Sequence, residues 1–242
     1  MAQRRDAAGL IFAVAFPTAA AWFYFITFAD SPFMPAIYAV CKVLQFAFPL
    51  VWVYLNAPGS PGPVPIGRPT RESRDTMMGI LSGMAIVILV WVAWRVVIKD
   101  SSLALSAGPR IAARLAALGA ASPARFIALT IFISVIHSFL EEYYWRWFVL
   151  GRMRTVMGGL PSLLISSAAF AGHHVILLDA FIGPGPWWPV TVLLSFGVAF
   201  AGGLWAWLYL RRGSLYCPWF SHMVVDMGIM AIGYDLAGMN RM

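Results

Sequence analysis

The sequence is that of an all-α membrane protein, a polytopic bundle of about seven to eight transmembrane helices. Three observations point there. Of 242 residues, 61% are apolar and only 11% charged, whereas a soluble domain usually carries about 25% charged residues. Mean hydropathy is +0.77. The apolar residues come in runs of about 20, the length a helix needs to cross a bilayer. The formal charge of +7 does not indicate nucleic acid. The basic residues form short clusters between apolar runs, which is how a membrane protein is oriented.

Taken in order, seven runs have spanning character: roughly 8–29, 34–55, 77–98, 124–150, 160–180, 187–210 and 214–235. The first begins MAQRRDAAGLIFAVAF and continues apolar through WFYFITFA, so it is expected to be a retained helix rather than a cleaved signal. The proline-, glycine- and charge-rich stretch 56–76 reads as a loop. Residues 103–120 carry Arg110 and Arg114 four apart, which suits either an interfacial amphipathic helix or a short eighth span. GPGPWWP at 183–189 reads as a loop with tryptophans at the membrane interface. Cys41 and Cys217 fall within spans and are expected to be small core residues, not a disulfide.

Placing the N-terminus inside puts nine basic residues on the inner side (Arg4, Arg5, Arg68, Arg71, Arg74, Arg152, Arg154, Arg211 and Arg212). Four remain outside, Lys99 through Arg125. This charge bias favours an inner, bacterial-type cytoplasmic membrane with the N-terminus inside.

The stretch FLEEYYWRWF sets two carboxylates and an arginine inside an apolar run. Ionisable groups at that depth are costly and mark function. Glu142 and Arg146, four apart with the acid first, share a helix face as an ion pair. Glu141 points about 100° away, on the stripe of His137 and Trp145, and is the carboxylate left for general-base work. FAGHH places His174 one turn after Phe170, and SHMVVD places His222 one turn before Asp226. Counted at 1.5 Å per residue from the inner span ends, Glu141 lies about 14 Å deep, His174 about 21 Å and His222 about 12 Å. These depths are compatible with one cavity. His137 and His173 read as packing residues or as supports for the residues of the site.

At these residues the sequence resembles the CAAX prenyl protease and bacteriocin-processing family, the CPBP or Abi-type glutamic intramembrane endopeptidases. EExxxR is Glu141, Glu142 and Arg146; FxxxH is Phe170 to His174; HxxxN/D is His222 to Asp226. The resemblance covers residues 124–236, preceded by N-terminal helices and the interfacial segment over 1–123, all in one continuous membrane domain. It implies a metal-free hydrolase with no cofactor. Glu141 and His174 would activate a water, His222 and Asp226 would stabilise the oxyanion, and Glu142 with Arg146 would hold Glu141 in place. Asp226 stands where the family often has asparagine. An ionised aspartate would repel an oxyanion, so its expected role is to orient His222. The implied partners are a membrane-associated protein or peptide substrate and the lipid bilayer. Two other readings compete: a zinc metalloprotease liganded by Glu141, His174, His222 and Asp226, and a non-enzymatic immunity or binding protein.

Overall fold

The computed structural model of the chain describes residues 2–56, 72–183 and 185–239, with backbone alone for 2–6, 56 and 72. Every regular element among the described residues is helical. In hydrocarbon each backbone N–H and C=O must be satisfied internally, and a helix does this within one segment. The helices are α1 (Ala2–Trp22), α2 (Met34–Asn56), α3 (Glu72–Ala93), α4 (Ser102–Ala117), α5 (Pro123–Ile131), α6 (Ser138–Glu142), α7 (Gly151–Met157), α8 (Gly159–Ile182), α9 (Trp188–Arg212) and α10 (Tyr216–Leu236).

Among the described residues, six stretches are long and apolar enough to cross a membrane: Ala7–Thr27, Met34–Leu55, Ser73–Ile98, Pro123–Met157, Gly159–Ile182 and Trp188–Arg212. They match the first six expected spans. The seventh expected span coincides with α10, whose 21 residues extend about 30 Å, but α10 is not among the six, its histidine and aspartates lowering its apolarity. The third span begins earlier than expected, because Glu72 and Asp75 lie in the first turns of α3 rather than in a loop. Most of the loop over 56–76 lies outside the described residues, as do the side chains of Arg4 and Arg5.

The segment left open between an interfacial helix and a short span is α4. Its 16 residues reach about 24 Å, less than a hydrocarbon core, and they lie across the ends of other helices. A Cβ at Gly108 would sit 2.8 Å from the Leu236 carbonyl oxygen, at the end of α10. The Arg110 guanidinium lies against Gly183, just beyond α8. Lys99, just before α4, pairs with Asp235 at 3.3 Å. Helix α4 therefore caps one end of the bundle.

The span from 123 to 157 is one rod interrupted twice by π-helical turns, Phe132–His137 and Tyr143–Leu150, on either side of Ser138–Glu142. Such turns are rare and concentrate at functional sites. At Gly158 the chain turns with φ 80°, a backbone conformation that glycine adopts without strain, and α8 starts. The core lies around this rod: Tyr144, Trp145, Phe148 and Val149 are buried with Phe170, Trp205 and Val225. Large apolar side chains on α2 and α3, such as Val43, Leu50, Leu81 and Leu89, point outward, as suits helices facing lipid. Cys41 and Cys217 are free thiols, Cys217 fully buried.

Candidate active site

Every polar residue singled out in the sequence lies in one cluster around the middle of the rod. Glu142 and Arg146 pair within one helix, Arg146 Nε to Glu142 Oε2 at 3.1 Å, both essentially without exposed surface. The guanidinium also donates to the Gly202 carbonyl at 3.1 Å. It rests over the Phe170 ring at 4.6 Å and the Trp205 ring at 5.3 Å. Cation–π contact of this kind gains strength where water is excluded. Gly202 is required by geometry: a Cβ there would lie 3.0 Å from the Phe170 ring and 3.5 Å from Arg146 Nη2.

The second oxygen of Glu142 holds His222, with Nδ1 to Oε1 at 2.8 Å. The imidazole stacks on Trp205 at 3.9 Å and 17°. Trp205 in turn donates from Nε1 to Ser221 Oγ at 3.0 Å, and Ser82 of α3 bonds that same oxygen at 3.0 Å. The partner that orients His222 is thus Glu142, reaching from another helix. Asp226 was expected in that role from its i, i+4 spacing. Its Oδ1 lies 3.6 Å from the other ring nitrogen, Nε2, outside hydrogen-bond range.

Glu141 is buried and ringed by imidazoles. His173 Nε2 stands 3.4 Å away, His137 Nε2 3.8 Å and His222 Nε2 3.8 Å. The stripe from His137 to Glu141 behaves as its spacing predicts. Of the two roles open to His173, packing or support of the site, the structure favours the second: it is the imidazole nearest to Glu141, and it lies parallel to the Trp145 ring at 5.8 Å. Its signal in the sequence was the adjacent pair His173–His174, two rings about 100° apart on one helix, so that both can border a single cavity. His174 bonds the Phe170 carbonyl through Nδ1 at 2.9 Å, which makes Nδ1 the protonated nitrogen and leaves Nε2 for chemistry. One ligand-type atom each from Glu141, His173 and His174 lies within 4.8 Å of the other two.

The expected depths do not locate this cluster. His222 is six residues into α10 and His174 fifteen into α8, about 9 Å and about 22 Å at the helical rise. Both rings nevertheless lie close to Phe170, at 6.0 and 4.6 Å. Staggered helix ends account for the difference.

The widened turns have a use here. The Val135 carbonyl, in the first π-helical turn, accepts from Trp219 Nε1 at 3.0 Å and fastens α10 to the rod. Tyr144, beside the glutamates, donates to the Ala13 carbonyl at 2.7 Å and fastens α1.

A helical bundle with spanning segments and a buried carboxylate–imidazole centre defines an integral, multi-pass membrane protein with an acid–base site inside it. Residues 123–228 match the protein-family model described as "Rce1-like: Type II CAAX prenyl endopeptidase Rce1-like", in agreement with the family that its motifs resemble. No curated protein and no solved structure matches the chain. The matched segment contains Glu141, Glu142, Arg146, His173, His174, His222 and Asp226. Helices α1 to α4 lie outside it.

Proposed function

We propose that the protein is a glutamic intramembrane endopeptidase, hydrolysing a peptide bond of a membrane-associated protein or peptide near or within the bilayer. One observation carries the reading: a buried carboxylate, Glu141, is surrounded by imidazoles beside a neighbouring carboxylate, Glu142, already neutralised by Arg146. That division leaves Glu141 for proton transfer, and the segment holding it matches an endopeptidase family.

In the proposed reaction, Glu141 takes a proton from a water as its oxygen adds to the scissile carbonyl carbon. His174 Nε2 lies on the same side and helps to position that water. The carbonyl oxygen becomes an oxyanion, and His222, as an imidazolium held by Glu142 through Nδ1–H, donates its Nε2–H to it. The tetrahedral adduct collapses, the C–N bond breaks, and the proton taken by Glu141 passes, by way of His174, to the leaving amine. The contributions are general acid–base catalysis and preorganised electrostatic stabilisation. Asp226 borders the oxyanion side, near His222 Nε2, and modulates its charge. The N-terminus lies inside a bacterial cytoplasmic membrane, by the arginine distribution.

A second reading rests on the closeness of Glu141, His173 and His174, a set able to hold a divalent metal. His222 and Asp226, the other ligands suggested by sequence, fall outside that set. One experiment separates the readings. The full chain in proteoliposomes is given a membrane-anchored peptide, and wild type is compared with Glu141→Gln and His174→Ala, with and without a strong chelator. Each substitution is expected to lower kcat by about 10²- to 10⁴-fold, the contribution of a positioned acid or base, and the chelator to leave wild type unaffected. Loss of activity on chelation, restored by zinc, makes the same residues metal ligands. Full cleavage by Glu141→Gln overturns both readings.

A further inference from the structure

Lys42 of α2 is an ionisable group well inside a span. It lies eight residues into α2, about 12 Å from the helix end at the helical rise. His174 lies the same eight residues from the end of α8 on that side of the bundle. An ammonium at such depth is costly unless it meets an anion or serves a function.

Among the described residues, no carboxylate comes within ion-pair distance of Lys42 Nζ. Its one hydrogen bond, at 3.3 Å, goes to the Oε1 of Gln45, a neutral amide. Its other neighbours are the Tyr38 ring at 5.8 Å and the Phe46 ring at 5.5 Å. The Phe46 ring also meets the edge of His137 at 5.9 Å, and His137 borders Glu141. Gln45 is 1% exposed, and its Nε2 has no hydrogen-bond partner. One helix turn thus presents an ammonium without a paired anion and a buried amide N–H without an acceptor, beside the proposed base.

We propose that Lys42 and Gln45 form a subsite that takes a carboxylate of the peptide substrate and so places the bond to be cut against Glu141. Two donors a turn apart suit the two oxygens of a carboxylate, and aromatic walls exclude the water that would otherwise solvate it. The carboxylate comes from the chain terminus or from an acidic side chain near the scissile bond. The proposal rests on the endopeptidase reading and adds to it the chemistry of the substrate.

The test uses the full chain in proteoliposomes and one membrane-anchored peptide in three forms: free C-terminal acid, C-terminal amide, and amide with an aspartate introduced near the cleaved bond. Wild type is expected to favour a carboxylate-bearing form over the plain amide by about 10- to 100-fold in kcat/KM, the value of a charged hydrogen bond, with most of the difference in KM. Whichever acid form is favoured identifies the source of the carboxylate. In Lys42→Met the ratio collapses to near one, Lys42→Arg retains part of it, and Gln45→Leu reduces it. Equal cleavage of all three forms by wild type overturns the subsite. So does an unchanged ratio in Lys42→Met, with every form slowed alike in kcat, because Lys42 then only balances the charge of Glu141.

Binding of fluorescent acid and amide peptides to Glu141→Gln separates the two proposals. Acid-selective, Lys42-dependent binding from a protein that never cleaves leaves the subsite standing while the protease reading falls. Cleavage without acid selectivity does the reverse. If Lys42→Met fails to fold, Lys42→Arg and Gln45→Leu carry the same comparison.

Discussion

Arg146 is the most heavily committed side chain in the molecule. It neutralises Glu142, donates to the Gly202 carbonyl and lies against two aromatic faces. Glu142 in turn carries both Arg146 and His222. Removing one partner of such a buried pair leaves an uncompensated charge, at a cost of about 3–5 kcal/mol. Arg146→Met is therefore expected to lower the thermal unfolding temperature in detergent and to abolish cleavage together. Glu142→Gln with Arg146→Met, which removes both charges, should recover much of the stability and none of the activity, because His222 has lost the anion that holds it. A differential scanning measurement alongside the peptide assay tests this. Recovery of cleavage in the double variant would deny Glu142 its role on His222.

Among the helices, α3 and α10 make the closest approach, and two glycines permit it. A Cβ at Gly79 would lie 2.4 Å from the Cys217 carbonyl oxygen, and one at Gly83 would lie 2.6 Å from that of Ser221. Both obstacles are backbone and cannot swing aside. The stretch GILSG is a small-xxx-small pattern of the kind that brings membrane helices into contact. Ser82, lodged within it, bonds Ser221, the residue before His222. Gly83→Leu is expected to destabilise the fold by about 1–3 kcal/mol, as overpacking does. It should also slow catalysis by displacing Ser221, Trp205 and the His222 ring that stacks on it. Tryptophan fluorescence and kcat on one purified variant read both effects. A fully active Gly83→Leu would show that α10 holds its site without α3.

Taken whole, the molecule places its proposed catalytic side chains on one segment and much of their support on another. The family match spans residues 123–228, yet Ala13, Lys42, Ser82 and Gly83 come from helices before it. They anchor Tyr144, lie over the Phe46 ring that meets His137, brace Ser221 and admit α10, respectively. Asp75 at the start of α3 also binds Arg212 at the end of α9. The segment 123–242 expressed alone is therefore expected to yield no compact bundle and no cleavage, while co-expression with 1–122 restores both. Size exclusion in detergent and limited proteolysis decide this. A stable, active 123–242 fragment would make the first four helices dispensable.

How much was legible in advance depends on the range of each interaction. Hydrocarbon leaves an apolar run little choice but to be a helix, so the spans follow from composition, and the boundaries at Gly158 and Gly213 are written in glycines whose φ is positive. Pairs four residues apart, Glu142 with Arg146 and His137 with Glu141, are local consequences of helical geometry and needed no structure. Contacts across helices were a different matter. A soluble helix marks its buried face with an apolar stripe, but a membrane helix is apolar all round, so its sequence does not announce which face meets which neighbour. For that reason the partner of His222 was sought one turn away in Asp226 and is instead Glu142, 80 residues distant. For the same reason the sequence does not separate packing from support of the site at His173, nor single out Lys42. Composition and local spacing settled the class of the protein and the residues that carry charge. The meeting of faces, permitted by glycines and widened helical turns, settled which of those residues touch, because that depends on how whole helices pack and no local pattern records it.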